Sequence, residues 1–176
     1  MRLKTKSGKD LARRVRLMRW LRTTPMRRHL EYFKYVIRHK WFVFVAGLKV
    51  GAPIWQLIIH DWSKFLPSEW MPYAKTFYAP DGSSQYEEHR QFDVAWNHHQ
   101  NRKKHHWQYW ILQRDDGDEI CLPIPKRYLL EMVADWMGAG RAITGEWEVA
   151  EWYRANKEKI KLEEQTRNHV ESLVLP

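Results

Sequence analysis

The chain has a single cysteine, Cys121, and one thiol closes no internal disulfide. A small cystine-stapled scaffold is thereby excluded. No N-terminal apolar stretch leads to a small-residue cleavage site, and the two absences together lead us to expect a cytoplasmic protein. Long hydrophobic runs are scarce as well. Trp41 to Ile59 comes nearest to the roughly 20 apolar residues that a membrane span needs. Lys49 and Gln56 lie within it, however, Gly51-Ala52-Pro53 interrupts it, and His60-Asp61 follows at once. Two shorter helices joined by a tight turn account for the same residues, so no transmembrane segment is expected. Internal repeats and low-complexity linkers are also lacking, and the 176 residues read as one domain with an appended arm.

What is present is apolar volume and unevenly placed charge. Hydrophobic residues form 44% of the chain and eleven are Trp, enough to offset the entropy of ordering a domain. We read the Trp residues as core, with Trp62, Trp107 and Trp110 close enough to the motifs described below to shape a pocket. Residues 1–28 contain eleven Lys or Arg and one acid, a net of +10, so the formal net charge of +9 belongs to this arm. Within it Leu11, Val15 and Met18 keep helical spacing beside Arg13, Arg14, Arg16 and Arg19, which describes a basic amphipathic helix. Nucleic acid, anionic lipid and an acidic protein surface are all suitable targets. A solvated tail, or a helix packed on its own domain, is the plainer alternative.

Residues 29–176 carry helical periodicity. After Pro25, Leu30, Phe33, Ile37, Trp41, Phe44 and Leu48 recur at steps of three and four, and a second stripe runs through Tyr32, Val36, His39, Val43, Ala46 and Val50. A helix apolar on two sides belongs at the centre of the fold. The next helix is expected from Pro53 to about Phe65, then one from Pro67 or Ser68 through Tyr78. A turn at Pro80-Asp81-Gly82-Ser83 precedes another from about Gln85 to Gln100. Tyr109 to Leu112 and Glu119 to Leu122 flank Asp115-Asp116-Gly117-Asp118 and predict a two-stranded ribbon. Lys126 to Met137 returns to helical spacing, with Gly138 and Gly140 as its stop, and helices of about Glu146 to Asn156 and Leu162 to Val174 complete the chain. The fold class is therefore mainly α, a helical bundle with a small β-hairpin insertion.

His39 and Asp61 fall on the apolar stripes of these helices, and a bare carboxylate there costs several kcal/mol unless it is paired. His39 lies twelve residues before Gly51 and His60 eight after Ala52, an offset of about four residues or ~6 Å along antiparallel axes. Helices packed roughly 8–10 Å apart would bring His39, His60 and Asp61 around one ion. His98-His99, His105-His106, and Asp135 with Glu131 one turn before it, follow. Imidazole and carboxylate together suit zinc, iron, manganese, nickel or cobalt. Adjacent histidines on a helix cannot both face one centre. His99 shares a face with Phe92 and Trp96 and is preferred to His98, while His105 and His106 stand as equal candidates.

The order His39, His60-Asp61, Asp135 resembles the HD superfamily of metal-dependent phosphohydrolases, and His60-Asp-Trp-Ser-Lys64 is similar to its frequent His-Asp-x-x-Lys. More closely, His60-Asp-Trp-Ser-Lys-Phe65, Ala95-Trp-Asn-His-His99, His105-His-Trp-Gln-Tyr-Trp110 and Glu131-Met-Val-Ala-Asp-Trp136 resemble a family of phage and bacterial proteins without assigned activity. That resemblance covers about residues 29–174 and omits the arm. The resemblance to the HD superfamily implies an HD-like helical bundle and a phosphohydrolase acting on a nucleotide or other phosphate ester through one or two divalent transition-metal ions. His39, His60, Asp61 and Asp135 would hold the first ion, and His99 with His105 or His106 a second, or else contact phosphate. Lys64 would hold a substrate phosphate or a neighbouring carboxylate, Glu131 would orient a ligand histidine or act as a base, and Arg102, Lys103 and Lys104 would place positive charge at the mouth. Two other functions fit the same residues: a nucleic-acid-binding accessory protein that uses residues 1–28, and a catalytically idle HD-like scaffold.

Overall fold

The computed structural model describes residues 26–176, so the amphipathic helix expected in the arm falls outside the described residues. Among the described residues seven α-helices follow one another: α1 (Met26–Val50), α2 (Ile54–Ile59), α3 (Pro67–Phe77), α4 (Arg90–Arg102), α5 (Lys126–Thr144), α6 (Val149–Asn156) and α7 (Glu164–Val174). The expected ribbon forms between α4 and α5 from β1 (Ile111–Gln113) and β2 (Glu119–Cys121), antiparallel with Leu112 opposite Ile120. The fold is mainly α, as the periodicity predicts.

α1 is the axis of the molecule, and its most extensive partner is α5. Their approach is close because Gly138 brings no side chain to the crossing: a Cβ there would stand 2.5 Å from the Val43 backbone nitrogen. This corrects the expectation that Gly138 and Gly140 end the helix. α5 continues to Thr144 and stops at Gly145, whose φ of 87° is the left-handed conformation that glycine adopts freely. Gly138 is there for packing.

Two apolar clusters flank the middle of α1. One gathers Val43, Ala46, Leu57, Leu129, Met132 and Val170 from α1, α2, α5 and α7. The other is smaller and more aromatic, with Tyr32, Val36, Tyr73, Ala74 and Ala95 from α1, α3 and α4. His39 lies on the same stripe, between Val36 of one cluster and Val43 of the other. The second stripe of the sequence pattern is thus the buried one. Leu30, Phe33, Ile37, Trp41 and Leu48 of the first are exposed. The Trp assignment is corrected in the same way: no described Trp is buried, and Trp41, Trp55, Trp62, Trp147 and Trp152 are exposed. A large ring with one polar atom more often lies across a core margin than inside it.

Two other boundaries move. Residues 85–89 are not helical, and His89, in extended conformation, caps α4 by accepting from the Phe92 backbone N–H. α2 ends at Ile59 instead of running to Phe65. His60 and Asp61 form a break, Asp61 with φ 51°, after which Trp62–Phe65 make a single 3₁₀ turn. Asp61 is the only non-glycine residue with positive φ among the described residues. That conformation is uncommon for a side-chain-bearing residue, although Asp tolerates it better than most.

Candidate metal centre

The break at Asp61 solves a local problem. Successive residues of a helix point about 100° apart, so an adjacent His-Asp pair on a continuous helix could not share one point. With Asp61 turned into the left-handed region, the two side chains converge, and His60 Nε2 lies 3.5 Å from Asp61 Oδ2. α1 contributes His39, whose Nε2 is 3.6 Å from Asp61 Oδ2 and 3.3 Å from Asp135 Oδ1 on α5. His60 Nε2 is 3.4 Å from the same Asp135 oxygen. The four residues of the first expected ion therefore stand around one point.

The other oxygen of Asp61 faces a second group. His99 Nε2 from α4 and His105 Nε2 from the following turn are each 3.3 Å from Asp61 Oδ1. His106 joins them, with the ligand atoms of Asp61, His99, His105 and His106 all within 4.8 Å of one another. The expectation that one histidine of each pair faces the centre holds on α4, where His98 is exposed and His99 buried, but not at His105 and His106, which lie in a turn and both face the centre. One carboxylate thus bridges two groups of imidazoles.

Around these lies a shell of carboxylates that fixes the rings. Glu131 Oε1 is 3.0 Å from His60 Nδ1 and 3.2 Å from His105 Nδ1, and its Oε2 accepts from Gln56 Nε2 at 2.7 Å. Glu69 Oε2 is 2.8 Å from His99 Nδ1. Both Glu131 oxygens are engaged, which supports an orienting role and leaves it poorly suited to act as a base. Glu69 and Gln56 are the residues the sequence reading misses. Glu69 looks there like an ordinary acid in the first turn of a helix, and Gln56 like an isolated polar residue.

The rings of His60, His99 and His105 hold Nδ1 against a carboxylate, while the Nε2 atoms of His39, His60, His99, His105 and His106 are buried without a hydrogen-bond partner. Asp61 Oδ1 is likewise buried without one. Buried polar atoms are rarely left so, and six of them aimed at two points form the arrangement a metal ion satisfies. Nitrogen and oxygen donors in this ratio suit a divalent transition ion.

Charge in the cluster is strongly redistributed. Burial opposes ionisation of Asp61, but His60, Lys64 and His99 hold its carboxyl well below the usual range. Lys64 Nζ stands 2.6 Å from Asp61 Oδ2, an ion pair without hydrogen-bond geometry, so of its two expected roles it takes the one toward a carboxylate. Asp135 is buried too, and His60 and His39 keep its pKa depressed. Burial likewise works against Glu131, which His105 and His60 pull down to about 2. Burial and Lys64 lower His39 to about 4, and burial with His105 and His99 lowers His106 well below its ordinary value. Both rings are therefore neutral near pH 7 and offer lone pairs. Burial also disfavours charge on His60, yet Asp61, Asp135 and Glu131 raise it to about 9, so a cation binding there displaces a proton.

One cleft is lined by residues of the cluster, and a second lies one side chain away from His39. The first, of about 230 Å³, has His60, Asp61, His105 and Glu131 among its lining, with Trp55 and Trp62 on its walls and Arg102, Lys103 and Lys104 at its mouth. The three basic residues are thus at the site, and Lys103 Nζ lies 5.4 Å from the centre of a Trp62 ring. Trp107 and Trp110, by contrast, pack against the larger apolar cluster and do not line this cleft. The second cleft, about 400 Å³, is lined by Tyr35, Arg38 and Tyr78 among others, and Tyr35 stacks on His39 with ring centres 5.9 Å apart.

Fold and site together define a mainly α-helical protein with a buried His/Asp/Glu cluster able to hold metal. The chain belongs to the family of unknown function DUF5662, whose model matches residues 28–175. No curated protein and no solved structure matches it.

Proposed function

We propose that the chain is a metal-dependent phosphohydrolase of HD type, acting on a nucleotide or another phosphate ester. The observation that carries this reading is the bridging position of Asp61, with one oxygen turned to His39, His60 and Asp135 and the other to His99, His105 and His106. A divalent transition ion bound there would lower the pKa of its water toward ~7 and polarise a phosphoryl oxygen.

The chain's own residues do the rest. Glu131 and Glu69 hold three imidazoles by Nδ1, which leaves each Nε2 available and keeps the donor set rigid before any ion arrives. Lys64 offsets the charge of Asp61, and Arg102, Lys103 and Lys104 draw an anionic ester to the mouth and bind its phosphate oxygens. Trp55 and Trp62 give the cleft flat apolar walls, suited to the base of a nucleotide.

The test is elemental analysis of the purified protein after reconstitution with zinc, manganese, iron, nickel or cobalt, followed by phosphate release from a panel of nucleotides, phosphomonoesters and phosphodiesters. Asp61→Asn is expected to lose metal from both groups and to lose hydrolysis. Full metal stoichiometry in this variant, or no metal uptake by the wild-type chain, would overturn the proposal.

A further inference from the structure

The largest feature that a metal centre leaves unexplained is on the outside of the α1–α2 hairpin. Phe33, Ile37 and Trp41 of α1 and Ile58 and Ile59 of α2 all stand exposed, with Trp41 at 61% and Ile58 at 64%. The two helices present them as one surface. Lys40 Nζ donates to the carbonyls of Ile58 and His60 and ties α2 to α1, and Phe33 meets Phe65 edge-on with ring centres 6.4 Å apart. Single exposed apolar residues are ordinary, but a contiguous aromatic and aliphatic surface of this kind marks a contact.

Charge decides what the contact is with. Between Met26 and Leu66 there are seven Lys or Arg and two acids; Lys34 is paired with Glu31 at 2.8 Å and Lys64 with Asp61 at 2.6 Å, so the segment keeps an excess of five basic side chains. α1 is entered directly from residues 1–25, which add nine Lys or Arg against one acid, a net of +8. A second copy of the chain would set one basic rim and one basic arm against another. Folding the arm back over the face would likewise bring positive charge onto positive charge. Nucleic acid would match the charge but offers little aliphatic surface to cover Ile37, Ile58 and Ile59. A bilayer surface with anionic headgroups offers both partners, acyl chain for the apolar side chains and phosphate for the Lys and Arg around them, and Trp is the residue that favours the boundary between the two.

We infer that the outer face of the α1–α2 hairpin, together with the basic arm, seats this protein on anionic lipid surfaces. No described helix is long and apolar enough to cross a membrane, so the attachment is peripheral. Neither cluster nor arm suffices separately: a shallow apolar face supplies the insertion, and the arm supplies an attraction that salt weakens.

The experiment is sedimentation of the full-length chain with vesicles of phosphatidylglycerol and phosphatidylcholine in equal parts, and with phosphatidylcholine alone. Retention on the anionic vesicles, reduced by added salt, is expected. Trp41→Asp/Ile58→Asp should lower it at least tenfold, while Leu112→Asp on the ribbon leaves it unchanged. The helical circular dichroism of the double variant reports its folding, and the milder Trp41→Ser/Ile58→Ser repeats the comparison if charge on the face unfolds it. Because binding is read without any turnover, a failure here is separable from failure of the phosphohydrolase reading. No retention on anionic vesicles, or equal retention of both double variants, overturns the inference. So does a dimer in buffer that the double variant dissociates, or an oligonucleotide complex that it abolishes, since either assigns the face to another occupant.

Discussion

On α1, Tyr32, Val36, His39, Val43 and Ala46 are essentially closed to solvent against α5 and the two clusters, whereas Leu30, Phe33, Ile37, Trp41 and Leu48 on the outward side lie open. The outward side is the more hydrophobic and the bulkier of the two. The inward side is narrower, with Ala46 and Gly47 in its last turns, and it holds a histidine at its centre. Burial therefore follows fit and the presence of a polar partner more closely than it follows hydrophobicity. Small residues let a neighbouring helix approach, and His39 meets carboxylates from two other elements.

The largest effect is expected from erasing what separates the two sides. His39→Leu makes the inward side wholly apolar, and the first ion should then bind more weakly than the roughly 10–100-fold loss that a change outside the ligand set produces. Isothermal titration with zinc or manganese measures it, and unchanged affinity would remove His39 from the ligand set. A smaller effect separates neighbouring residues. Val36→Ala is expected to cost about 1–3 kcal/mol, since it opens a cavity in the aromatic cluster. Ile37→Ala, one residue on, should stay within about 0.5 kcal/mol in urea unfolding. Equal costs for the two would mean that the outward face is covered in solution by something that stabilises the isolated protein.

Much of the centre was legible because its residues sit where apolar ones belong. His39 interrupts a helical stripe, the His39-to-His60 offset follows from helix rise, and Asp135 with Glu131 repeats at one turn. What was not legible depends on backbone that leaves the regular period. Helical spacing carries no sign that Asp61 would leave the helix, nor that His105 and His106 would sit in a turn and both face inward. Glu69 is invisible for a different reason: its partner, His99, is thirty residues away and joined to it only through packing of α3 on α4. The same holds for the outward stripe, whose periodicity is that of a buried surface although nothing in the described residues covers it.

Gly138 gives the centre a dependence on spacing that no list of ligands reveals. His39 lies one turn from Val43 and Asp135 one turn from Gly138, so the backbone contact between Val43 and Gly138 acts as a gauge block that sets the gap those two candidate ligands face across. A single added methyl group, in Gly138→Ala, would have to push α1 and α5 apart. Every ligand would remain in place chemically, yet metal affinity and the thermal midpoint should fall together. A variant with full affinity would show that the gap is set elsewhere.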